Sequence, residues 1–264
     1  MLAAKGVRVA ALSDHDTMCG FPAFFQAAKA RGIIALPSLE LTTWLEAGGE
    51  GAEVHVLCLG VRVNEKLAKG LREIREQRLG LHRKMCARMK ELGYDFDFDR
   101  LVKRAGNDPV MTSHYLWDIF YRKPLWALGI VATGHFKDWY NGFIQATVAP
   151  GAQAYLPPPL GFADGIAWAR EHGAQAIVAH PYKMASAKVR DAALAADCDG
   201  YEVFYRGQDA VREEMLKMVD ARGLIATGGS DFHGYIDGPY KGWELPRARV
   251  RMLLDRLGLT KTEI

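Results

Sequence analysis

Leu224-Ile225-Ala226-Thr227-Gly228-Gly229-Ser230-Asp231-Phe232-His233-Gly234 is the stretch on which the fold of this 264-residue chain turns. An apolar run and two glycines lead into an Asp-x-His pair. Along an extended chain, residues two apart point the same way, so Asp231 and His233 leave a strand together as a two-pronged metal grip. Near the other end, the apolar run Val7 to Leu12 exits into Ser13-Asp14-His15-Asp16. Two strands therefore deliver the same chemistry to what reads as one rim.

Working outward, Phe21 to Ala30 reads as a helix stopped at Gly32. Ile33 to Leu41 reads as one strand ending in Ser38-Leu39-Glu40-Leu41, and Val54 to Val61 as another with His55 inside it. Further on, Asp164 to His172, Ala187 to Ala196 and Asp209 to Arg222 read as helices. They alternate with strands Gln175 to Ala179, Gly200 to Tyr205 and Leu224 to Thr227. Repeated strand-helix units predict a parallel sheet with helical crossovers. The middle differs: Asn64 to Leu92 is one long charged helical pattern, and Tyr94 to Ala149 mixes short helices with aromatics and shows no clear strand. Pro157-Pro158-Pro159 marks its exit. Residues 1–63 and 160–264 thus form an α/β core, and 64–159 a helical insertion or lid.

Acidic and imidazole residues stand at nearly every predicted strand end: Asp14, His15 and Asp16, then Glu40, then His180, then Asp231 and His233. Barrel enzymes carry their catalytic groups at the carboxyl ends of strands. Each residue has a plainer reading. Asp14 and Asp16 suit helix caps, Glu40 an exposed edge and His55 a satisfied core position. His114 has no spacing argument of its own, and His82, His135 and His172 read as surface or packing histidines. A carboxylate inside Leu36 to Leu41 needs a cation beside it if it is buried. Clustered His, Asp and Glu without thiolates select Zn²⁺, Mn²⁺ or Fe²⁺. Such ions lower the pKa of a bound water and neutralise phosphate oxygens. Arg72, Arg75, Arg78 and Arg83 recur at helical spacing, as a solvated face or as phosphate clamps.

Composition narrows the classes. A net charge of +3 carries no polyelectrolyte signature, so long duplex nucleic acid is not expected as a partner. No apolar run approaches the ~18 residues of a membrane span, and Val7 to Leu12 is too short for a secretory signal. Cys19, Cys58, Cys86 and Cys198 lack paired spacing and read as buried thiols of a reducing, cytoplasmic setting.

Ser13-Asp14-His15-Asp16, Leu39-Glu40-Leu41, His55, His114, Val178-Ala179-His180-Pro181 and Gly229-Ser230-Asp231-Phe232-His233 resemble, in order, the PHP (polymerase and histidinol phosphatase) family. Ile74-Arg75-Glu76-Gln77-Arg78-Leu79 and Arg83-Lys84-Met85 resemble its nucleoside 3′,5′-bisphosphate phosphatase and 5′-to-3′ RNA exonuclease branch. The resemblance implies a distorted seven-stranded (β/α) barrel with up to three divalent ions. It implies His15, Glu40, His55, His114, Asp231 and His233 as metal ligands and His180 and Asp231 as catalytic residues. Arg75, Arg78 and His180 would bind the substrate phosphate. The implied reaction is phosphoester hydrolysis by metal-hydroxide attack, on a nucleoside 3′,5′-bisphosphate or the 5′ end of short RNA. Alternatives are a histidinol-phosphate type of phosphatase and a non-catalytic nucleotide-binding module. The family's opening His-x-His strand has no counterpart here, and Thr112 stands where an arginine is common. A start inside the true protein, fewer ions, and a monomer or weak homodimer are the corresponding expectations.

Overall fold

A computed structural model describes residues 2–111, 114–115, 118, 147, 151–233 and 245–259. Two compact units emerge, Met1–Ala68 with Leu160–Ile264, and Lys69–Pro159.

The first unit is a mixed α/β fold. Its strands are β1 (Val9–Ala11), β2 (Ile34–Leu36), β3 (Ser38–Ala47), β4 (Glu50–Leu59), β5 (Gln175–Val178), β6 (Gly200–Phe204) and β7 (Ile225–Gly228). β1 and β2 pair in parallel around helix α1 (Phe21–Lys29). The other five form one sheet in chain order, β3 to β7. β5, β6 and β7 run parallel, joined by helical crossovers, whereas β4 runs antiparallel to both β3 and β5.

The expected single strand from Ile33 to Leu41 is two strands. Proline has no N–H to give a ladder, and the chain breaks at Pro37, leaving one sheet and starting the next. β3 then runs on to Ala47 and returns as β4 through Gly48-Gly49, both in the left-handed region at φ 58 and 79. Only glycine enters that region freely, which makes a two-residue hairpin link. The predicted all-parallel alternation is corrected here. The turn signal was present in the sequence, but short apolar runs do not reveal strand direction.

Leu36, Leu59, Ile177, Ile225, Leu253 and Leu254 close one core under the strands. The last two come from a C-terminal helix, Arg247–Arg256, that the sequence reading missed. Its apolar Val250, Leu253, Leu254 and Leu257 keep helical spacing, but arginines dilute the signal.

Helix α2 (Glu65–Glu91) continues into the second unit. Leu67, Ile74, Arg78, His82, Met85 and Met89 form its buried stripe. The arginines therefore do not share one solvated face: Arg72 and Arg83 are exposed, Arg75 is half-buried and Arg78 is buried. The second unit's own core joins Met85, Cys86 and Met89 to Phe96, Leu101 of helix α3 (Phe98–Ala105), and Tyr115.

β6 is buried at every position. A Cβ on Gly200 would run into the Ile225 carbonyl of β7, which cannot yield without parting the strands. Gly200→Ala is expected to destabilise the protein by about 1–3 kcal/mol, read as a lower urea midpoint; an unchanged midpoint would show that the β6–β7 spacing is not fixed by this glycine.

Candidate metal centre

Glu40 stands three residues into β3, where the loop leaving β1 crosses it. The Glu40 amide donates to Asp14 O at 3.0 Å, and the Asp16 amide donates to Glu40 O at 2.8 Å. This bridge lays His15 beside Glu40. The hairpin register pairs Thr42 with His55, so Glu40, Thr42 and His55 share one face. His55 Nδ1 lies 2.9 Å from Glu40 Oε1, His15 Nε2 4.0 Å from Oε2, and His180 Nε2 3.4 Å from Oε1. One ligand atom each from His15, Glu40 and His55 falls within 4.8 Å of the others. The Thr42 hydroxyl sits 3.3 Å from His15 Nδ1, which turns Nε2 toward the carboxylate.

Two buried atoms here lack an aligned hydrogen-bond partner among the described residues, Glu40 Oε1 and His55 Nδ1. They are close to each other but misdirected for a hydrogen bond. Unsatisfied buried polar atoms are costly, and ligand atoms from three residues within 4.8 Å of one another fit a shared cation. The donor set, two imidazoles and a carboxylate, suits Zn²⁺, Mn²⁺ or Fe²⁺.

The charges agree. Burial disfavours ionised Glu40, but the charges of His15 and His55 beside it, with His180 also close, hold its pKa well below the usual carboxylate range. Burial also opposes charge on His55, yet Glu40 and Glu53 push its pKa up to about 10. Burial dominates at His15 and lowers its pKa.

Among the described residues, the non-glycine positions in the left-handed backbone region are Asp16, His180 and Asp231. Each lies in a loop at this rim, where backbone strain is held by surrounding bonds. Asp16 is fixed by the Thr42 amide at 2.9 Å; α1 has Gly20 at its N-cap and no side-chain cap. That corrects the capping reading. The His180 amide donates to Glu202 Oε2 at 3.0 Å. Asp231 accepts from Lys183 Nζ at 2.8 Å and from the Tyr205 hydroxyl at 2.9 Å. His233 is more exposed, its side chain 52%, with its ring centroid 6.3 Å from that of His15.

No protein-family profile matches the chain. A 3′,5′-nucleoside bisphosphate phosphatase of Chromobacterium violaceum is 31% identical over 242 residues, covering 88% of this chain and 79% of its own. A 5′-3′ exoribonuclease of Haemophilus influenzae is 29% identical, covering 87% and 81%. A solved amidohydrolase of Chromobacterium violaceum, with bound sulfate and no metal, superposes with a TM-score of 0.72 at 27% identity, covering 96% of this chain and 88% of that one. The chain belongs to the PHP-like phosphoesterase family. It is a hydrolase of phosphate esters.

Within this PHP-like chain, the first unit carries His15, Glu40, His55, His180, Asp231 and His233. His114, Arg75 and Arg78 belong to the second. There, His114 Nδ1 accepts from the Met111 amide at 2.9 Å, Arg75 donates to Gly106 O at 2.8 Å, and Arg78 Nη2 lies 3.6 Å from Met111 Sδ. Thr112 and His135 lie outside the described residues. Of the cysteines, Cys58, Cys86 and Cys198 are buried, whereas Cys19 is exposed, against expectation. His82 is buried with Nδ1 2.8 Å from the Tyr115 hydroxyl, and His172 stacks on Trp168.

Sequence reading missed Glu202, Lys183 and Tyr205. Glu202 is a carboxylate inside a wholly buried strand, where burial and then Glu40 push its pKa up to about 8. The signal was the one used for Glu40, a lone acid in an apolar run. Lys183 and Tyr205 had no local signal, because their partner lies far along the chain.

A metal at His15, Glu40 and His55 must displace the His55 proton. With a folded pKa of about 10, that proton is held throughout the neutral range and is lost as pH rises. The apparent Mn²⁺ affinity is therefore expected to climb about tenfold per pH unit between pH 6.5 and 9, measured by titration calorimetry. A flat profile would remove His55 from the ligand set.

Proposed function

We propose that this chain is a metal-dependent phosphatase whose substrate is a nucleoside 3′,5′-bisphosphate, with the cation held by His15, Glu40 and His55. The observation that carries this reading is the buried Glu40 carboxylate facing three imidazoles, with Oε1 lacking an aligned donor. The similarity to a 3′,5′-nucleoside bisphosphate phosphatase over most of both chains supports the substrate class. The order of strands, with chemistry in the loops after β1, β5 and β7, supports a distorted (β/α) barrel as the parent architecture.

A divalent ion at this site lowers the pKa of water and neutralises phosphate oxygens. The protein's residues do the rest. Glu40 concentrates negative charge where the cation belongs, and Thr42 orients the His15 ring. His180, held in a strained turn by the Glu202 carboxyl group, presents Nε2 to the same space. From there it donates to a phosphate oxygen or to the departing alkoxide. Tyr205 packs beside His180 with ring centroids 5.4 Å apart and limits how far the imidazole turns. The proposal rests on residues of the first unit alone.

A second reading, removal of nucleotides from the 5′ end of short RNA, is favoured by the similarity to an exoribonuclease. Adenosine 3′,5′-bisphosphate and a 5′-phosphorylated RNA tetramer, each given with Mn²⁺, separate the two. Release of inorganic phosphate from the first at the higher kcat/KM is the expected result. Mononucleotide release from the second at the higher value would favour the exonuclease. Buried thiols at Cys58, Cys86 and Cys198 support a cytoplasmic setting; no helix among the described residues is long and apolar enough to cross a membrane.

Glu40→Gln keeps the size and removes the charge. It is expected to lower both Mn²⁺ affinity and kcat/KM on the order of a hundredfold or more. Wild-type turnover by that variant, in protein verified as metal-loaded, would overturn the assignment.

A further inference from the structure

Asp231 was expected to hold a metal ion, and its surroundings do not fit one. Its side chain is only 8% exposed, and Oδ2 takes the Lys183 ammonium at 2.8 Å and the Tyr205 hydroxyl at 2.9 Å. The Arg206 guanidinium stands 3.9 Å from the same oxygen. The nearby imidazole of His233 has Nδ1 2.9 Å from the Asp231 backbone carbonyl, against 3.6 Å from Oδ1. Among the described residues, the group whose ligand atoms converge for a cation is His15, Glu40 and His55, and Asp231 is outside it. The negative charge of Asp231 is already matched by a cation that belongs to the protein.

The placement of that cation matters. Lys183 ends the short 3₁₀ turn Pro181–Lys183 that directly follows His180. Arg206 follows Tyr205 at the end of β6. Both side chains are about half exposed, 55% and 54%, so they cover Asp231 from the solvent side. An ammonium has three N–H donors. Asp231 engages one of them at 2.8 Å, and the 55% exposure of the side chain leaves donors for a further partner. A positive group fixed at its base by a buried carboxylate and open at its tip is built to receive an anion without first losing conformational freedom.

We infer that the Lys183 ammonium, seated on Asp231, is the resident cation of this side of the site and binds the substrate's phosphate group there in place of a metal ion. The anchored geometry sets Lys183 apart from an ordinary surface lysine: its head group is held by Asp231, whose same oxygen takes the Tyr205 hydroxyl, one turn away from His180. Arg206 adds positive charge to the same patch. The inference rests on the phosphoesterase reading above and adds to it a substrate-binding residue and a lower ion count.

The test uses the full chain loaded with Mn²⁺, inorganic phosphate as the probe in titration calorimetry, and metal content per chain by mass spectrometry. Lys183→Met is expected to weaken phosphate binding roughly tenfold or more, the loss of a charge-assisted hydrogen bond. Lys183→Arg should stay within about threefold of wild type, since it keeps a charged donor. Asp231→Asn should leave the number of bound Mn²⁺ ions unchanged. Phosphate affinity unaltered in Lys183→Met, or loss of one Mn²⁺ per chain in Asp231→Asn, would each overturn the inference and leave the phosphoesterase reading in place. A wild-type protein that binds neither Mn²⁺ nor phosphate would overturn both.

Discussion

A single buried carboxylate, Glu40, organises the first unit's site. Its backbone is the seam between the β1 exit and β3, because its amide and carbonyl bond to Asp14 and Asp16. Its side chain faces His15, His55 and His180 from three different segments. An isolated carboxylate with so little exposure would take a proton rather than stay charged. Three imidazoles around it reverse that preference and keep it ionised. The same arrangement makes the hairpin register critical. Shifting β3 against β4 by one residue would send His55 to the opposite face and leave Glu40 with less compensation. Fold and site therefore constrain each other at this residue.

What the sequence disclosed follows from how local each signal is. The helices came from 3.6-residue periodicity within one segment, and α2 is the clearest case, with Leu67, Ile74, Arg78 and His82 on one stripe. His15, Glu40, His55 and His180 were legible because each interrupts or ends an apolar run. The split at Pro37 and the antiparallel return through Gly48-Gly49 were less legible, since strand direction is decided by pairing partners and not by pattern. The burial of Arg78 was also hidden, because a charged residue on an otherwise apolar stripe looks like an error of phase until its surroundings are known. Lys183 and Asp231 are 48 residues apart, and nothing near either one announces the other.

Two acids at the rim illustrate how environment assigns roles. Glu40 and Glu202 are both buried, and burial pushes each toward the neutral form. Glu40 is surrounded by imidazoles and stays charged. Glu202 instead feels Glu40 itself, and its pKa rises to about 8. Near neutral pH the pair therefore divides into one carboxylate and one largely protonated acid. The division suits their positions. Glu40 opens onto the space where a cation is attracted, whereas Glu202 lies behind it, accepting the His180 amide and packed so closely under Gly229 that a Cβ there would strike its Oε1.

Asp231 completes the pattern as a third acid with a third solution. Burial raises its pKa, but the Lys183 hydrogen bond and charge reverse this and hold it below the ordinary range. A cation supplied by the protein is permanent and is set by folding, whereas one drawn from solution depends on metal supply and on the His55 proton. A rim combining both has a fixed positive end and an exchangeable one. On the proposed reading, a phosphate ester lying between them would meet positive charge at each end, and its orientation would follow from the difference between the two. If Lys183 binds phosphate as inferred above, its charge is present whatever the metal supply, and phosphate recognition at the Asp231 side then does not wait for a metal, whereas turnover does. That asymmetry is the physical reason to separate binding from catalysis in this site.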